Sequence, residues 1–183
     1  SKYFNQSRYT GLEFNDAAIR KAANLGIKLI KEPVEEHSKV NSERYDSVVA
    51  FQVLEHVSSP RSFIQGCIDC LRPGGRLILS VPSQDGFASL SSNHVLDMPP
   101  HHVTHWPEKT LKKLADIFEL ECLCIEHESV APYHYQWAKS VVVQSWIKKR
   151  LGIRHHLIEE RPVVRLLERI SNKLSIRLNV DLS

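Results

Sequence analysis

Along the first two thirds of this chain, apolar runs of strand length alternate with stretches whose apolar residues recur every three or four positions. Residues 8–14 read as a strand. Asn15 and Asp16 then supply a side-chain cap and a negative charge suited to a helix start. Ala18, Ile19, Ala22 and Ala23 recur at helical spacing, and Gly26 is the expected stop. Residues 27–30 form a second short strand, ended by Pro33. The apolar run Val48 to Phe51 is apolar on both faces, which predicts a strand of a parallel sheet covered by helices on both sides. Ser59 and Pro60 open the next helix, with Phe63, Ile64, Cys67, Ile68 and Leu71 on its inward stripe. Pro73 and Gly74 suit the central positions of a type II turn, and residues 76–82 follow as another buried strand.

Strand, helix, strand, helix, strand at these intervals predicts an α/β fold with a Rossmann-like, mostly parallel sheet flanked by helices. Ligands of such sheets sit beyond the carboxyl ends of the strands, where Glu13, Gln52 and Ser83 fall. Residues 83–106 form a long polar loop rich in Ser and His, of the length expected for a substrate loop. Residues 107–118 predict a helix with Leu111, Leu114, Ala115 and Phe118 inward, and the alternation over 119–130 predicts a further strand. Two amphipathic helices follow. The first carries Trp137, Val141, Trp146 and Ile147 among basic residues; the second, opened by Pro162, carries Val163, Leu166, Leu167, Ile170 and Leu174 at helical spacing.

Charge divides the chain near residue 134. Residues 134–183 hold 10 Lys/Arg against 4 Asp/Glu, which leaves 14 basic and 17 acidic residues in 1–133. The expected organisation is an α/β domain over 1–133 and a basic helical tail over 134–183 packing on it. A basic amphipathic helix with tryptophan is compatible with an anionic membrane surface, but packing on the domain or a homodimer contact is the favoured reading. Nucleic acid is not expected as a partner, since no recognition motif is present and the body is acidic. No apolar run has membrane-spanning length and the first residues lack a secretory segment, so a soluble cytoplasmic protein is expected. Its four cysteines then default to reduced thiols, with Cys67 and Cys70 as small core residues. His101, His102 and His105 form an H-H-x-x-H run, but no acid is ideally spaced beside it and two prolines break any helix. No metal site is expected.

The pieces "YTGLEFN", "YDSVVAFQVLEHVSSPRSFI", "LRPGGRLILSVP" and "PPHHVTHW", reaching from about residue 8 to about 128, together resemble the class I S-adenosylmethionine-dependent methyltransferases, particularly the small-molecule group that includes ubiquinone and menaquinone biosynthesis enzymes. The resemblance implies S-adenosylmethionine as cofactor and a small-molecule methyl acceptor as partner. It places Glu13 on the ribose hydroxyls, with Phe14 beside it, because a carboxylate offers two adjacent acceptors to a diol. It further implies that Val34 and Glu35 border the adenine, and that Gln52 and Val53 border the methionine part. His56, of the "EH" pair, and His101 and His102, on the loop over the expected site, are the candidate bases.

One part of that family pattern is missing. A first strand and a glycine-rich turn, which let the backbone approach the cofactor closely, precede the acidic strand in the family. None of the seven glycines here forms such a pattern. The expectation is therefore a truncated piece of a longer methyltransferase, its first strand missing from this chain. The alternative is a methyltransferase-like scaffold or interaction domain that has lost cofactor binding.

Overall fold

The structure is a computed structural model; it describes residues 9–156 and 158–175. Its contacts fall into two units, residues 1–80 and 81–183. Among the described residues, no helix is long and apolar enough to cross a membrane.

The first unit contains two strand, helix, strand repeats. Strand β1 (Gly11–Leu12), helix α1 (Asp16–Asn24) and strand β2 (Leu29–Ile30) form one. After helix α2 (Val34–Val40), strand β3 (Tyr45–Phe51), helix α3 (Pro60–Asp69) and strand β4 (Leu71–Ser80) form the other. Both strand pairs are parallel, which requires a crossover between them, and each helix supplies it. Local chemistry sets the boundaries as expected. The Asn15 side chain accepts from the Ala17 and Ala18 amides at 2.9 and 3.3 Å, capping α1, and Gly26 follows it with φ +72°. The first strand is shorter than the expected 8–14. The pairing of β1 with β2 continues only to the Glu13 amide, which donates to the Ile30 carbonyl at 3.1 Å.

The Pro73–Gly74 turn lies inside β4 instead of ahead of it. Tyr45 pairs with Leu71 and Ser47 with Arg76, so Arg72 to Gly75 loop out opposite Asp46 alone. Gly74 has φ +75°, the left-handed conformation its turn position demands, and a Cβ on Gly75 would lie 2.9 Å from the Arg72 carbonyl oxygen. Val34, Cys67 and Cys70 form the core, with Leu12, Tyr45, Val48, Phe63 and Leu77 packed against it. Helix α2, which the sequence pattern did not disclose, closes on α3 so tightly that a Cβ on Gly66 would sit 3.1 Å from Glu35 backbone atoms. His37 locks α2 to β3: its Nδ1 lies 2.6 Å from Glu32 and its Nε2 2.7 Å from the Tyr45 hydroxyl.

Coverage of the sheet on both faces is not what the described residues show. Val49 pairs with Ile78 and Phe51 with Ser80, and the apolar members of this face are exposed, Phe51 by 62%. Among the described residues, no ladder joins β1–β2 to β3–β4.

The second unit is helical. Helix α4 (Glu108–Ile117) turns Leu114 inward and half-buries Leu111, Ala115 and Phe118, as its spacing predicts. Residues 119–130 form no strand, contrary to the alternation. Most of their side chains are exposed, and among the described residues no strand partners them, so their backbone groups have no ladder to join. Helix α5 (Tyr135–Arg150) packs with α6 (Pro162–Ser175). Its buried residues are Ala138, Ser140, Val141, Val143 and Lys148, whereas Trp146 is exposed beneath the Arg150 guanidinium. On α6, Val164 is buried while Leu166 and Ile170 are exposed, so the expected inward face is displaced; the side chains of Val163 and Leu174 lie outside the described residues.

Polar ties add to the buried apolar residues here. Asn93 accepts from the Glu159 amide and donates to its carbonyl, at 2.9 and 3.0 Å. The buried Glu159 carboxylate takes a bidentate pair from Arg161 at 2.8 and 2.6 Å and a third bond from the Arg161 amide. These bonds hold Glu159 down to about 2 against burial, which pushes it up.

Two outcomes follow. In Gly66→Ala, the helix-propensity gain of about 1 kcal/mol is set against overpacking of roughly 1–3 kcal/mol onto backbone that has little room to yield. A net loss of about 1 kcal/mol is expected, read as a lower urea midpoint at unchanged slope. For Glu159, a folded value of about 2 lies below its ordinary 4.5, so its stabilisation is complete above about 4.5 and disappears as the pH falls toward 2. Glu159→Gln should flatten that limb of the stability curve, followed by circular dichroism across this range.

Candidate functional site

The candidate residues of the first unit gather at strand ends. Glu13 follows β1, and its Oε1 accepts from the Phe14 and Asn15 amides at 2.7 and 2.9 Å. This turns the carboxylate back over the start of α1 and fixes it there. Among the described residues no donor meets its second oxygen, so the fixed carboxylate retains acceptor capacity. Phe14, beside it, is exposed.

Gln52 follows β3 with φ +54°, a left-handed conformation uncommon for a residue with a side chain. Two bonds hold it there: its amide donates to the Ser80 carbonyl at 2.9 Å, and its Nε2 to Ser80 Oγ at 3.1 Å. Val53 is part-exposed, and the chain then winds into a short 3₁₀ turn, Leu54–His56. Leu54 and Glu55 are buried within it, and His56 reaches the surface with its Nε2 3.9 Å from Glu55 Oε1. Among the described residues neither Glu55 oxygen has a hydrogen-bond partner, although the residue is only 1% exposed. A carboxyl desolvated without donors carries a penalty that packing alone does not return, and such groups mark places where a fold serves something besides stability.

Val34 and Glu35 are placed differently. Both lie in the first turn of α2, with the Val34 side chain in the core and Glu35 against α3.

In the second unit the loop over 83–106 is held by an acid the sequence reading did not use. Asp97 Oδ1 lies 2.9 Å from His102 Nδ1 and 3.5 Å from His105 Nε2, and the Asp97 carbonyl accepts from His105 at 2.9 Å. Gln84 Nε2 donates to both carboxylate oxygens at 3.3 Å. The expectation that no acid stands beside the histidine run is thus corrected. Met98 O accepts from both the His101 and His102 amides, and this turn swings His102 back over a residue five positions earlier. His101 stacks on His102 with ring centroids 5.0 Å apart. Burial alone would push the Asp97 carboxyl up; the bonds from His102 and Gln84 and the neighbouring imidazoles outweigh it and hold it below its ordinary value.

Asp97, Gln84 and Glu55 are the residues that sequence reasoning did not assign. The segment Asp97-Met-Pro-Pro-His-His did carry a signal, since paired prolines force a reversal that can return a histidine to a preceding acid.

Parallel strand pairs joined by crossover helices define an α/β domain, with an acid and an amide at the carboxyl ends of two strands. The chain belongs to the methyltransferase domain family, which it matches over residues 2–125. Curated relatives include the ubiquinone biosynthesis O-methyltransferases of Salmonella arizonae and Salmonella typhimurium, each 26% identical over 117 residues, covering 62% of this chain and 48% of the relative. The chain thus spans about half the length of the curated relatives it matches. Among solved structures, a SAM-dependent methyltransferase from Archaeoglobus fulgidus shares the fold with a TM-score of 0.56 at 17% identity, covering 90% of this chain and 68% of that one. The resemblance and the α/β fold class read from the sequence are borne out.

The buried cysteines offer no rival chemistry at neutral pH. Burial, with Cys70 and Glu35 adding to it, pushes the Cys67 thiol up to about 12, and burial with the Asp69 charge raises Cys70. Iodoacetamide under native conditions should therefore label the exposed Cys122 and Cys124 and spare Cys67 and Cys70, as read by peptide mass spectrometry.

Proposed function

We propose that this chain is the cofactor-holding and acceptor-facing part of an S-adenosylmethionine-dependent methyltransferase that methylates an oxygen of a small molecule. The observation that carries the reading is Glu13, a carboxylate fixed at the tip of a strand by two backbone amides with acceptor capacity to spare. Family membership and the O-methyltransferase relatives support the reaction class and the oxygen acceptor.

The residues present fit such a cofactor at several points. Glu13 suits a ribose diol. Gln52, held in a strained conformation, presents the end of β3, and the Glu55 carboxyl, without a hydrogen-bond donor among the described residues, follows it in a site class whose cofactor carries positive charge. When bound, the cofactor supplies a methyl group activated by its sulfonium. This chain's residues then bind, orient and move a proton. Glu13, with Phe14 beside it, grips the sugar, and Gln52 and Val53 border the amino-acid part. Val34 and Glu35 contribute to the adenine side through the backbone at the start of α2, the Val34 side chain being in the core and the Glu35 backbone lying against Gly66. In-line methyl displacement needs mainly alignment, so the acid–base demand is limited to the acceptor hydroxyl. His102 is the residue assigned to take that proton, with His101 stacked on it; His56 anchors the turn after β3. The glycine-rich turn of the family has no counterpart in this sequence, and among the described residues no ladder joins the two strand pairs, so affinity is to be measured on this chain and on any longer natural polypeptide that carries it.

Calorimetric titration with S-adenosylhomocysteine tests the reading. The longer polypeptide should bind, and Glu13→Gln, which keeps the oxygen that caps the Phe14 and Asn15 amides but removes the charge, should weaken binding about 10- to 100-fold, the effect of one charged hydrogen bond. Absence of binding by both polypeptides, or an unaltered affinity in the variant, would remove the basis of the proposal.

A further inference from the structure

Apolar residues of the tail that the sequence pattern turns inward stand in water instead. Trp146 is 59% exposed and Leu166 56%, and Leu151, Ile158 and Ile170 are exposed with them. On α6, Leu166 and Ile170 lie one turn apart, and the exposed Arg165 and Arg169, also one turn apart, run beside them. Near the end of α5 the exposed side chains are Trp146, Lys149 and Arg150, with the Arg150 guanidinium 5.4 Å over the indole. These two regions are neighbours, since α5 packs with α6 and the Lys148 ammonium, in the last turn of α5, acts on the Glu159 carboxylate just ahead of α6.

Charge decides what can cover such a face. Residues 146–170 hold seven Lys/Arg and three Asp/Glu. Glu159 and Arg161 are bound to each other and Lys148 is buried; beyond these, the exposed charges among the described side chains are Lys149, Arg150, Arg154, Arg165 and Arg169 against Glu160. A second copy seated on the same face would set like charges against one another. A nucleic acid would satisfy the arginines and leave Trp146, Leu166 and Ile170 in water. An anionic phospholipid surface answers both demands, because phosphate headgroups meet the cations while the boundary beneath them takes aliphatic side chains and the amphipathic indole. We propose that this face of α5 and α6 seats the helical unit on an anionic phospholipid bilayer, with α6 lying in the interface and not crossing it. Arginine suits that position, since its aliphatic stem can follow Leu166 and Ile170 downward while the guanidinium stays among the phosphates. The contact is independent of the methyl transfer and of the role given to Glu13.

Co-sedimentation of the intact chain with vesicles tests this, using phosphatidylcholine alone and an equal mixture of phosphatidylcholine and phosphatidylglycerol. The mixed vesicles should take up the chain at least about tenfold more strongly, and raised sodium chloride should release it; neither readout needs a variant to fold. Arg165→Gln and Arg169→Gln should each weaken partitioning about fivefold, and Leu166→Ser about tenfold. Brominated lipid should quench the tryptophan fluorescence of the unsubstituted chain, and Trp146→Phe should remove most of that quenching. Equal uptake by the two kinds of vesicle, or mixed-vesicle binding that none of these substitutions weakens, would overturn the proposal. So would self-association that Leu166→Ser abolishes, or binding of duplex DNA that Arg165→Gln weakens, in a chain that leaves the mixed vesicles unbound; the first outcome would give this face to a second copy and the second to nucleic acid.

Discussion

The hydrogen bond from the Gln52 amide to the Ser80 carbonyl governs the geometry of the first unit's candidate site. It carries the β3–β4 ladder one residue beyond the strand, into a residue at φ +54°. A non-glycine residue there costs on the order of 1 kcal/mol or more and persists only where its surroundings over-determine it. The second bond, from Gln52 Nε2 to Ser80 Oγ, does that. With Gln52 held, the chain leaves the sheet at a fixed angle and winds at once into the turn that buries Leu54 and Glu55 and leaves His56 outside. Strain at one backbone position thus decides which way three consecutive side chains face.

Three carboxylates show how differently the fold treats buried charge. Glu159 is met by three donors from Arg161, which fixes the segment beside Asn93 and leaves nothing over for chemistry. Asp97 is met by an amide and an imidazole, which hold its carboxyl below its ordinary value and tie the loop to itself. Among the described residues Glu55 is met by no hydrogen-bond donor. A satisfied group is a brace, and an unsatisfied one is a cost retained for a reason outside the packing.

What the sequence disclosed divides along the same physical lines. Features set by neighbouring residues were legible: the Asn15 cap, the Pro60 start, the Gly26 stop, the inward stripe of α3 and the turn chemistry of Pro73–Gly74. Features set by a distant partner were not. Alternation over 119–130 satisfies a strand's side chains but cannot supply the second backbone that a strand requires. Helix α2 has too few apolar positions to betray itself and is defined by its fit against Gly66. On α5 and α6 the apolar spacing gave the helices but not their orientation, because Trp146, Leu166 and Ile170 stand outside while Lys148 and Val164 are buried. At the site, residue type pointed to Glu13, Gln52 and the histidines. Asp97 stayed hidden because its relation to His102 is made by a turn, and no periodicity encodes that turn.

The open edges of the first unit bear on where binding strength resides. Val49, Phe51 and Ile78 lie exposed on one face of β3–β4, and burying side chains of this kind is worth about 1.5–3 kcal/mol each. The sum is comparable with the net stability of a small domain. Isolated strand pairs are themselves marginal in water. A sheet in this condition gains most from whatever joins its two ladders and covers that face. Glu13 and Gln52 stand at the carboxyl ends of strands belonging to separate ladders, so the same closure would also fix their relative positions. Ligand affinity and fold stability would then be linked, because a ligand that bridges strand ends binds only the state in which both are held. On the proposed reading, the grip on a nucleoside would be a property of the closed sheet, with the Glu13 carboxylate and the Gln52 amide supplying its specificity.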